Sequence, residues 1–344
     1  MTAAIPHPPV FDPTGPLGAA LADIGLALMF SAAAVFGVVI WLLIVAIRGG
    51  SDAGVRGGSD AGAGGGADAG NGSDADAAGH RRFAWRWIVG GGVAFPLVVL
   101  SLWLLMSTAH VSGFVADGRR IVSDPKTLVI SIDARMWWWR IRYAAADGRD
   151  AVVTANELRL PAGRPIRLAL TSDDVIHSFW VPALAGKVDM VPGRIHHLEL
   201  DGLLPGTHRG QCAEFCGEQH ARMALHVVVE PGDDFDRWLA HQQRPAPAPN
   251  DEAGSRGLMV FRESRCEACH AIRGATGAAD GGPDLTHVGS RLFIGAGTLV
   301  NDRQRMEQWL VDLQRIKSGA RMPSYERLDG DDRAALARYL GSLQ

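Results

Sequence analysis

Cysteine is scarce in this chain, with four in 344 residues, and all four fall in two short motifs. No disulfide framework is therefore expected, and the fold must hold through its apolar core. Tyrosine is scarcer still, at three, against ten tryptophans. Basic residues are missing from positions 1–23, which instead hold several prolines, so the apolar run that follows is not a cleavable secretory signal of the usual form. No basic patch interleaved with aromatics is present, which argues against nucleic-acid binding, and the net charge of −3 points to no particular partner.

Charge is absent from two long stretches. Residues 24–47 (IGLALMFSAAAVFGVVIWLLIVAI) and 88–106 (IVGGGVAFPLVVLSLWLLM) are each uncharged. Either is long enough to cross a bilayer, which takes ~20 residues, and Pro96 is tolerated inside such a helix. Arg48, Arg56, Arg81, Arg82 and Arg86 lie between or just inside the two runs. Basic residues favour the cytoplasmic side, so this loop is expected there, with residues 1–23 and everything after about residue 107 outside a bacterial inner membrane. Between the runs, GGSDAGVRGGSDAGAGGGADAGNGSDADAAGHRR has no large apolar side chain and reads as a flexible linker. A second linker, HQQRPAPAPNDE at 241–252, has a Pro-Ala alternation that predicts an extended, semi-rigid tether.

CAEFCGEQHARM at 212–223 places two thiols, an imidazole and a thioether close together, and DDVIHSFWVP contributes His177 upstream. Copper accepts thiolate, imidazole and thioether together. A mononuclear blue site needs one cysteine, so the second implies two copper ions bridged by both sulfurs. His177 and His220 then cap one copper each, with Met223 as a weak outer ligand on one side and the Glu214 carbonyl on the other. Such a centre changes little in geometry on reduction, which suits electron transfer. A Cys212–Cys216 disulfide or a Cys2His2 zinc site is the competing reading, and neither accounts for Met223.

CEACH at 266–270 is the attachment signature of c-type haem. Cys266 and Cys269 form the thioethers, and His270 is the proximal ligand. The motif also fits a redox dithiol or half a zinc knuckle. GLMVFRESR before it and GGPDLTHVGSR after it, an amphipathic stretch and a Gly/Pro turn region, favour haem. SGARMPSY supplies Met322, the preferred sixth ligand, and axial methionine raises the iron potential. Met259 and Met306 are the rivals, and both lie in helical patterns where methionine is more often core filler.

Strand signals run through TLVISID, WWWRIRY, NELRLPAG, PIRLALTS, RIHHLELD and ALHVVVE, with turn residues between them, which argues for a β-sandwich or small barrel. His177 is expected on the loop after one strand and 212–223 on the loop before the last. GDDFDRWLAHQ reads as a short helix. DRQRMEQWLVDLQRIK and GDDRAALARYLGSL carry apolar residues at helical spacing and are expected to pack around the haem. The predicted organisation is an N-terminal segment 1–23, spans 24–47 and 88–106 joined by a cytoplasmic linker 48–87, a copper domain 112–240, a linker 241–252 and a haem domain 253–344.

The two-run hairpin, WWW at 137–139, DDVIHSFWVP, KVDMVPGR, CAEFCGEQHARM, CEACH and RMP occur in an order that resembles cytochrome c oxidase subunit II with a cytochrome c domain fused at its C-terminus. The resemblance covers nearly the whole chain. It implies a two-helix transmembrane hairpin, a cupredoxin-like β-sandwich or barrel with dinuclear copper, and an all-α class I cytochrome c domain. It implies the copper ligands His177, Cys212, the Glu214 carbonyl, Cys216, His220 and Met223, with the Glu214 carboxylate toward a magnesium ion at the interface with the catalytic subunit. It implies that electrons enter at an exposed Trp137, with Trp138 and Trp139 behind it. Three consecutive aromatics in a strand alternate faces, so Trp138 cannot share its neighbours' orientation, and core packing is the plainer role for each. Asp174, Lys187, Asp189 and Arg194 are expected near the ligands or at a subunit interface, with ordinary surface charge as the alternative.

One departure stands out. Many members of that family carry a glutamate just before the second span, near the mouth of a proton channel, whereas this chain has HRRFAWRWIVGG there. The expected role is an electron relay to a catalytic haem–copper subunit I, with subunit III and a donor such as a cytochrome c or a quinol–cytochrome c reductase as further partners. No oxygen-binding site is expected here, because Met322 closes the sixth position. The competing roles are the electron-input subunit of a nitric or nitrous oxide reductase, or a membrane-tethered copper-assembly protein. Twelve scattered histidines are too few for a second copper cluster.

Overall fold

The computed structural model describes residues 12–55, 73–144 and 150–344. The centre of the glycine-rich linker, the DGR turn at 147–149 and the first eleven residues lie outside them. Two compact units result: Asp23–Asp117, and Gly118–Gln344 together with the chain up to Ala22.

The first unit is helical. Helix α1 spans Pro16–Val55, α2 spans Ser73–Val89 and α3 spans Phe95–Ser123. A short π-helical turn, Gly90–Ala94, joins α2 to α3. It lies directly before Pro96, whose missing N–H and ring would otherwise disturb the α-helical ladder. Both apolar runs thus sit inside longer helices than expected, and the described ends of the expected flexible linker, up to Val55 and from Ser73, are helical too. Stretches Pro16–Val45 and Arg81–Ala109 are long and apolar enough to cross a membrane. Their large side chains, among them Phe30, Phe36, Trp41, Leu100 and Leu105, are exposed. A helix surface of that kind, free of charge over residues 24–45 and 88–109, suits lipid rather than water.

The second unit holds the β-domain and the C-terminal helical domain. One five-stranded sheet has the order β3-β2-β1-β5-β8, formed by Asp150–Ala155, Trp138–Ala144, Leu128–Arg135, Ile166–Ser172 and His196–Leu200. The other has the order β4-β10-β9-β6-β7, formed by Glu157–Pro161, Ala224–Glu230, Gly206–Cys212, His177–Trp180 and Val188–Met190. Alternation sets the inward faces: in β5, Ile166, Leu168 and Leu170 are buried while Arg167 and Ala169 are not fully so. Facing them are Leu158, Leu160, Phe179, Leu225 and Val227. Each such side chain, fully buried, contributes roughly 1.5–3 kcal/mol. Strands β3, β6, β7 and β9 were not among the expected segments. They are short, or rich in glycine and polar residues, so alternation is weak in them.

Helix α4 (Gly232–Gln242) closes this domain with Phe235 buried against Tyr143. The N-terminal segment belongs here as well: Thr14 N–H donates to the Ala183 carbonyl (2.9 Å) and Gly18 N–H to that of Leu184 (3.1 Å).

The helical domain is built from α5 (Glu252–Glu263), α6 (Arg303–Ile316) and α7 (Gly330–Ser342), with the small hairpin β11 (Phe293–Ile294) and β12 (Leu299–Val300) between α5 and α6. Asp251, Asp302 and Asp329 cap the three helices by accepting from the N–H groups of Gly254, Arg305 and Asp332. Its core joins Val260, Phe261, Leu310, Leu313, Leu336 and Leu340.

Candidate copper and haem sites

His177 opens β6 rather than lying on the loop after a strand, Cys212 ends β9, and Met223 directly precedes β10. Neighbouring strands therefore bring residues 35 positions apart to one end of the sandwich. The sulfurs of Cys212 and Cys216 lie 3.8 Å apart, too far for a bond of ~2.05 Å, and both thiols are free. His177 Nδ1 is 3.8 Å from Cys212 Sγ, His220 Nδ1 is 3.7 Å from Cys216 Sγ, and Met223 Sδ is 3.9 Å from the same sulfur. The Glu214 carbonyl lies 3.1 Å from Cys212 Sγ. The donors thus form a string with the two sulfurs at its centre and one imidazole at each end. Donor atoms of His177, Cys212 and Cys216 all fall within 4.8 Å of one another. That set fits soft metal bridged by two thiolates.

The surroundings prepare the ligands. His177 Nε2 donates to Asp174 Oδ1 (2.8 Å), which leaves the Nδ1 lone pair facing the sulfurs. Burial disfavours the His177 imidazolium, but hydrogen bonds with Asp174 and Cys212 outweigh it and raise the pKa. Between the thiols, the contact with Cys216 holds Cys212 low, while the same contact and burial push Cys216 up. Outside the string, Lys187 Nζ lies 3.3 Å from Asp189 and 3.9 Å from the Glu214 carboxylate.

The tryptophans divide. Trp139 is fully buried against His177 and Phe179. Trp138 turns the other way, under the Arg135 guanidinium. Trp137 is half-buried rather than exposed. Its Nε1 donates to the Cys216 carbonyl (2.8 Å), and Lys317 Nζ donates to its own carbonyl (2.8 Å). Trp138 is therefore not behind Trp137; both line the cavity described next.

That cavity, of about 430 Å³, lies in the helical domain and runs to the β-domain. Cys266, Cys269, His270 and Met322 line it, with Leu310, Leu313 and Ile294 as apolar wall. His270 Nδ1 donates to the Pro283 carbonyl (2.7 Å), which leaves Nε2 free as a ligand. Gln314 Nε2 donates to the carbonyls of Ala320 (2.8 Å) and Met322 (2.7 Å), which fixes the methionine loop. Met259 is exposed and does not line the cavity, whereas the buried Met306 does. Arg291, absent from the expected site residues, also lines it, and its buried Nε has no partner. A guanidinium in an apolar cavity suits the carboxylates of a haem, and only its place in the tertiary structure marks it out. The dimensions, apolar wall, paired thiols and free imidazole nitrogen all fit a covalently held haem.

Gly282 gives this fit a test. A Cβ there would stand 2.6 Å from the His270 ring. Gly282→Ala is expected to displace the ring and destabilise the haem domain by roughly 1–3 kcal/mol. Thermal unfolding and the low-spin haem spectrum of the full-length protein check it; an unchanged spectrum and melting point would refute the close fit.

The two domains meet over a polar and aromatic interface. Asp280 of the haem domain pairs with Arg135 (3.0 Å) and Arg140. Arg140 also binds the buried Asp133 (2.7 Å). Glu157 accepts from the Leu292 N–H (2.7 Å), His226 stacks on Phe293 (3.9 Å between centroids), and Ala224 N–H donates to the Ala296 carbonyl (3.1 Å). Gln219 donates to the Ser318 carbonyl (2.8 Å), and Arg222 to that of Ile316. The Pro-Ala segment is pinned as well, with Ala246 N–H donating to the Arg273 carbonyl (2.8 Å). The expected tether is thus one connection among many.

A cupredoxin-like β-domain joined to a cytochrome c domain, behind two apolar helices, defines a redox protein that binds copper and haem. Residues 143–230 match the family model for the periplasmic domain of cytochrome c oxidase subunit II, and residues 255–344 the model for cytochrome c. Cytochrome c oxidase subunit 2 of Alkalihalophilus pseudofirmus is 36% identical over 218 residues, which cover 63% of this chain and 62% of that relative. The subunit 2 of Bacillus sp. (strain PS3) is 30% identical over 263 residues, 72% of each chain. The solved periplasmic domain of subunit II from Bradyrhizobium japonicum is 28% identical, over 34% of this chain and 93% of that one, with a TM-score of 0.32. The chain belongs to the cytochrome c oxidase subunit 2 family.

Proposed function

We propose that this chain is the electron-input subunit of a respiratory haem–copper terminal oxidase, relaying electrons from haem c to a dinuclear copper centre and on to the catalytic subunit I, where dioxygen is reduced to water. Its family supports an oxidoreductase complex containing subunit I. Copper and haem bound at these residues would supply one-electron chemistry. Cys266, Cys269, His270 and Met322 would hold the haem, and His177, Cys212, the Glu214 carbonyl, Cys216, His220 and Met223 would hold the copper. The exposed Glu214 carboxylate faces a magnesium ion at the subunit I interface, with Lys187 and Asp189 beside it.

The two apolar helices cross the bacterial inner membrane as a hairpin, and the copper and haem domains, 112–240 and 253–344, lie outside it. Subunit III and a cytochrome c or quinol–cytochrome c reductase complete the set of partners. Arg82 and Arg86, with no acid beside them, precede the second span, so proton entry is supplied either by a residue of another subunit or by a path that opens differently. The nitric or nitrous oxide reductase and copper-assembly readings are not favoured, since the relatives named above are oxidase subunits.

One observation carries the relay: Trp137 lines the haem cavity and hydrogen-bonds the carbonyl of Cys216. That ring is a bridge of one side chain between the two sites. Trp137→Ala is expected to slow haem-to-copper transfer, because it removes the ring that spans the two sites, while both spectra persist. Stopped-flow reduction of the oxidised full-length protein measures it. An unchanged rate would make Trp137 a packing residue.

A further inference from the structure

Lys317 caps the end of α6 and is 4% exposed, yet it makes no ion pair among the described residues. Its ammonium donates to three backbone carbonyls: Trp137 (2.8 Å) and Arg222 (2.9 Å) in the copper domain, and Gly295 (3.1 Å) in the haem domain. Three donors meet three acceptors, so the group is fully satisfied. Burial still works against the charge, and pushes its pKa down to about 7. A core position held only for packing would be filled more stably by an apolar side chain.

The acceptors reveal what the ammonium holds. Trp137 is the ring between the two sites, and Arg222 immediately precedes Met223. Gly295 begins a turn of three consecutive left-handed residues, Gly295, Ala296 and Gly297 (φ 64°, 59° and 76°). The middle residue of that turn accepts from Ala224 N–H across the interface. The Gly295 carbonyl also accepts from Thr298 Oγ1 (2.6 Å), so the turn is braced from within as well as by the ammonium.

We propose that Lys317 is a positioning residue, an interdomain clamp that fixes the Trp137 and Arg222 backbone of the copper domain against the Gly295 turn of the haem domain and so sets the rate of electron transfer between the two sites. The transfer part rests on the relay reading above; the clamp itself does not. The contact also ties the copper domain to the loop that follows α6 and carries Met322. Movement of the haem domain away from the copper domain must break the two hydrogen bonds to Trp137 and Arg222 together, while the bond to Gly295 holds the ammonium within the haem domain. Asp280, itself largely exposed to water, pairs with Arg135 and Arg140, and a screened pair of that kind locks less firmly than a buried one.

Lys317→Met and Lys317→Gln, made in the full chain within its membrane complex, test the clamp by hydrogen–deuterium exchange of the peptides containing Ala224 and Leu292. Both N–H groups donate across the interface, to Ala296 and Glu157. Lys317→Met is expected to speed their exchange about tenfold, the scale of losing hydrogen bonds to a charged group, while amides within α6 keep their protection. Haem-to-copper transfer slows in the same variant at unchanged redox potentials. Lys317→Gln, shorter and with two N–H donors for three carbonyls, falls between it and the natural protein in both measurements. Wild-type exchange at Ala224 and Leu292 in Lys317→Met would overturn the proposal, as would faster exchange that also spreads through α6. If Lys317→Met fails to attach haem, Lys317→Gln decides alone, and wild-type exchange there is the refuting result. Failure of the relay reading would look different: copper in the unaltered protein would not be reduced by haem at all, with the exchange data unaffected.

Discussion

Cys216→Ser abolishes the dinuclear copper signal: the seven-line hyperfine pattern expected of one electron shared by two equivalent copper nuclei disappears, and copper content falls below two per chain. The reason lies in the position of this sulfur. Cys216 Sγ is one of the two central atoms of the donor string, with Cys212 Sγ at 3.8 Å, His220 Nδ1 at 3.7 Å and Met223 Sδ at 3.9 Å. A hydroxyl in its place is a hard, neutral donor where soft copper requires thiolate. Cys212 alone cannot bridge two ions symmetrically, so His220 and Met223 lose the metal they would cap. The β-sandwich survives, because a serine fills nearly the same volume and the surrounding core is unaltered. Electron paramagnetic resonance and metal analysis of the oxidised full-length protein check the outcome. A natural protein showing four lines and one copper would refute the dinuclear centre itself, and an unchanged Cys216→Ser spectrum would remove Cys216 from it.

Met322→Ala leaves the haem attached but lowers its potential, by on the order of 0.2 V within the ~0.8 V range that axial ligands command. Attachment persists because Cys266 and Cys269 provide the thioethers. The potential falls because a thioether opposite histidine favours the reduced iron, and alanine offers no ligand. Redox titration, with the weak near-infrared methionine–iron band as a companion signal, measures it. Survival of both would transfer the ligand role to Met306, which also lines the cavity and is buried on α6. Met259 is exposed outside the cavity and offers no such alternative.

The two motifs were legible because their chemistry is local. CxxCH and a Cys-x3-Cys loop with histidine and methionine place several donors within one or two turns, so residue type and spacing limit what can bind. The strands with clear alternation, such as Ile166–Ser172, were equally plain. His177–Trp180 and Gly206–Cys212 were missed as strands, since a four-residue segment and one with two glycines show little period. These two position His177 and Cys212, so the sequence identified the donors better than the elements that carry them. At the N-terminus, hydropathy marked the spans but not their ends: α1 begins at Pro16 and continues to Val55, where helix propensity and ladder continuity extend beyond the apolar run.

Composition and spacing marked the two cysteine motifs, the two apolar helices, the strand-rich middle of the chain and the helical C-terminal domain. Each depends on contacts between residues close in the chain or on a repeating pattern along it. The tertiary structure decided how the two redox domains meet. Trp137 was expected at an open surface, and instead lies half-buried at the junction, tied to Cys216 on one side and Lys317 on the other. Asp280 and Arg140, Phe293 and His226, and Lys317 and the Trp137 carbonyl are pairs separated by 67 to 180 positions. A backbone carbonyl as acceptor leaves no mark on residue type, and a lysine at the end of an amphipathic helix reads as solvated until a second domain is packed over it. Burial and long-range partnership are properties of the folded chain, which is why they became visible only there.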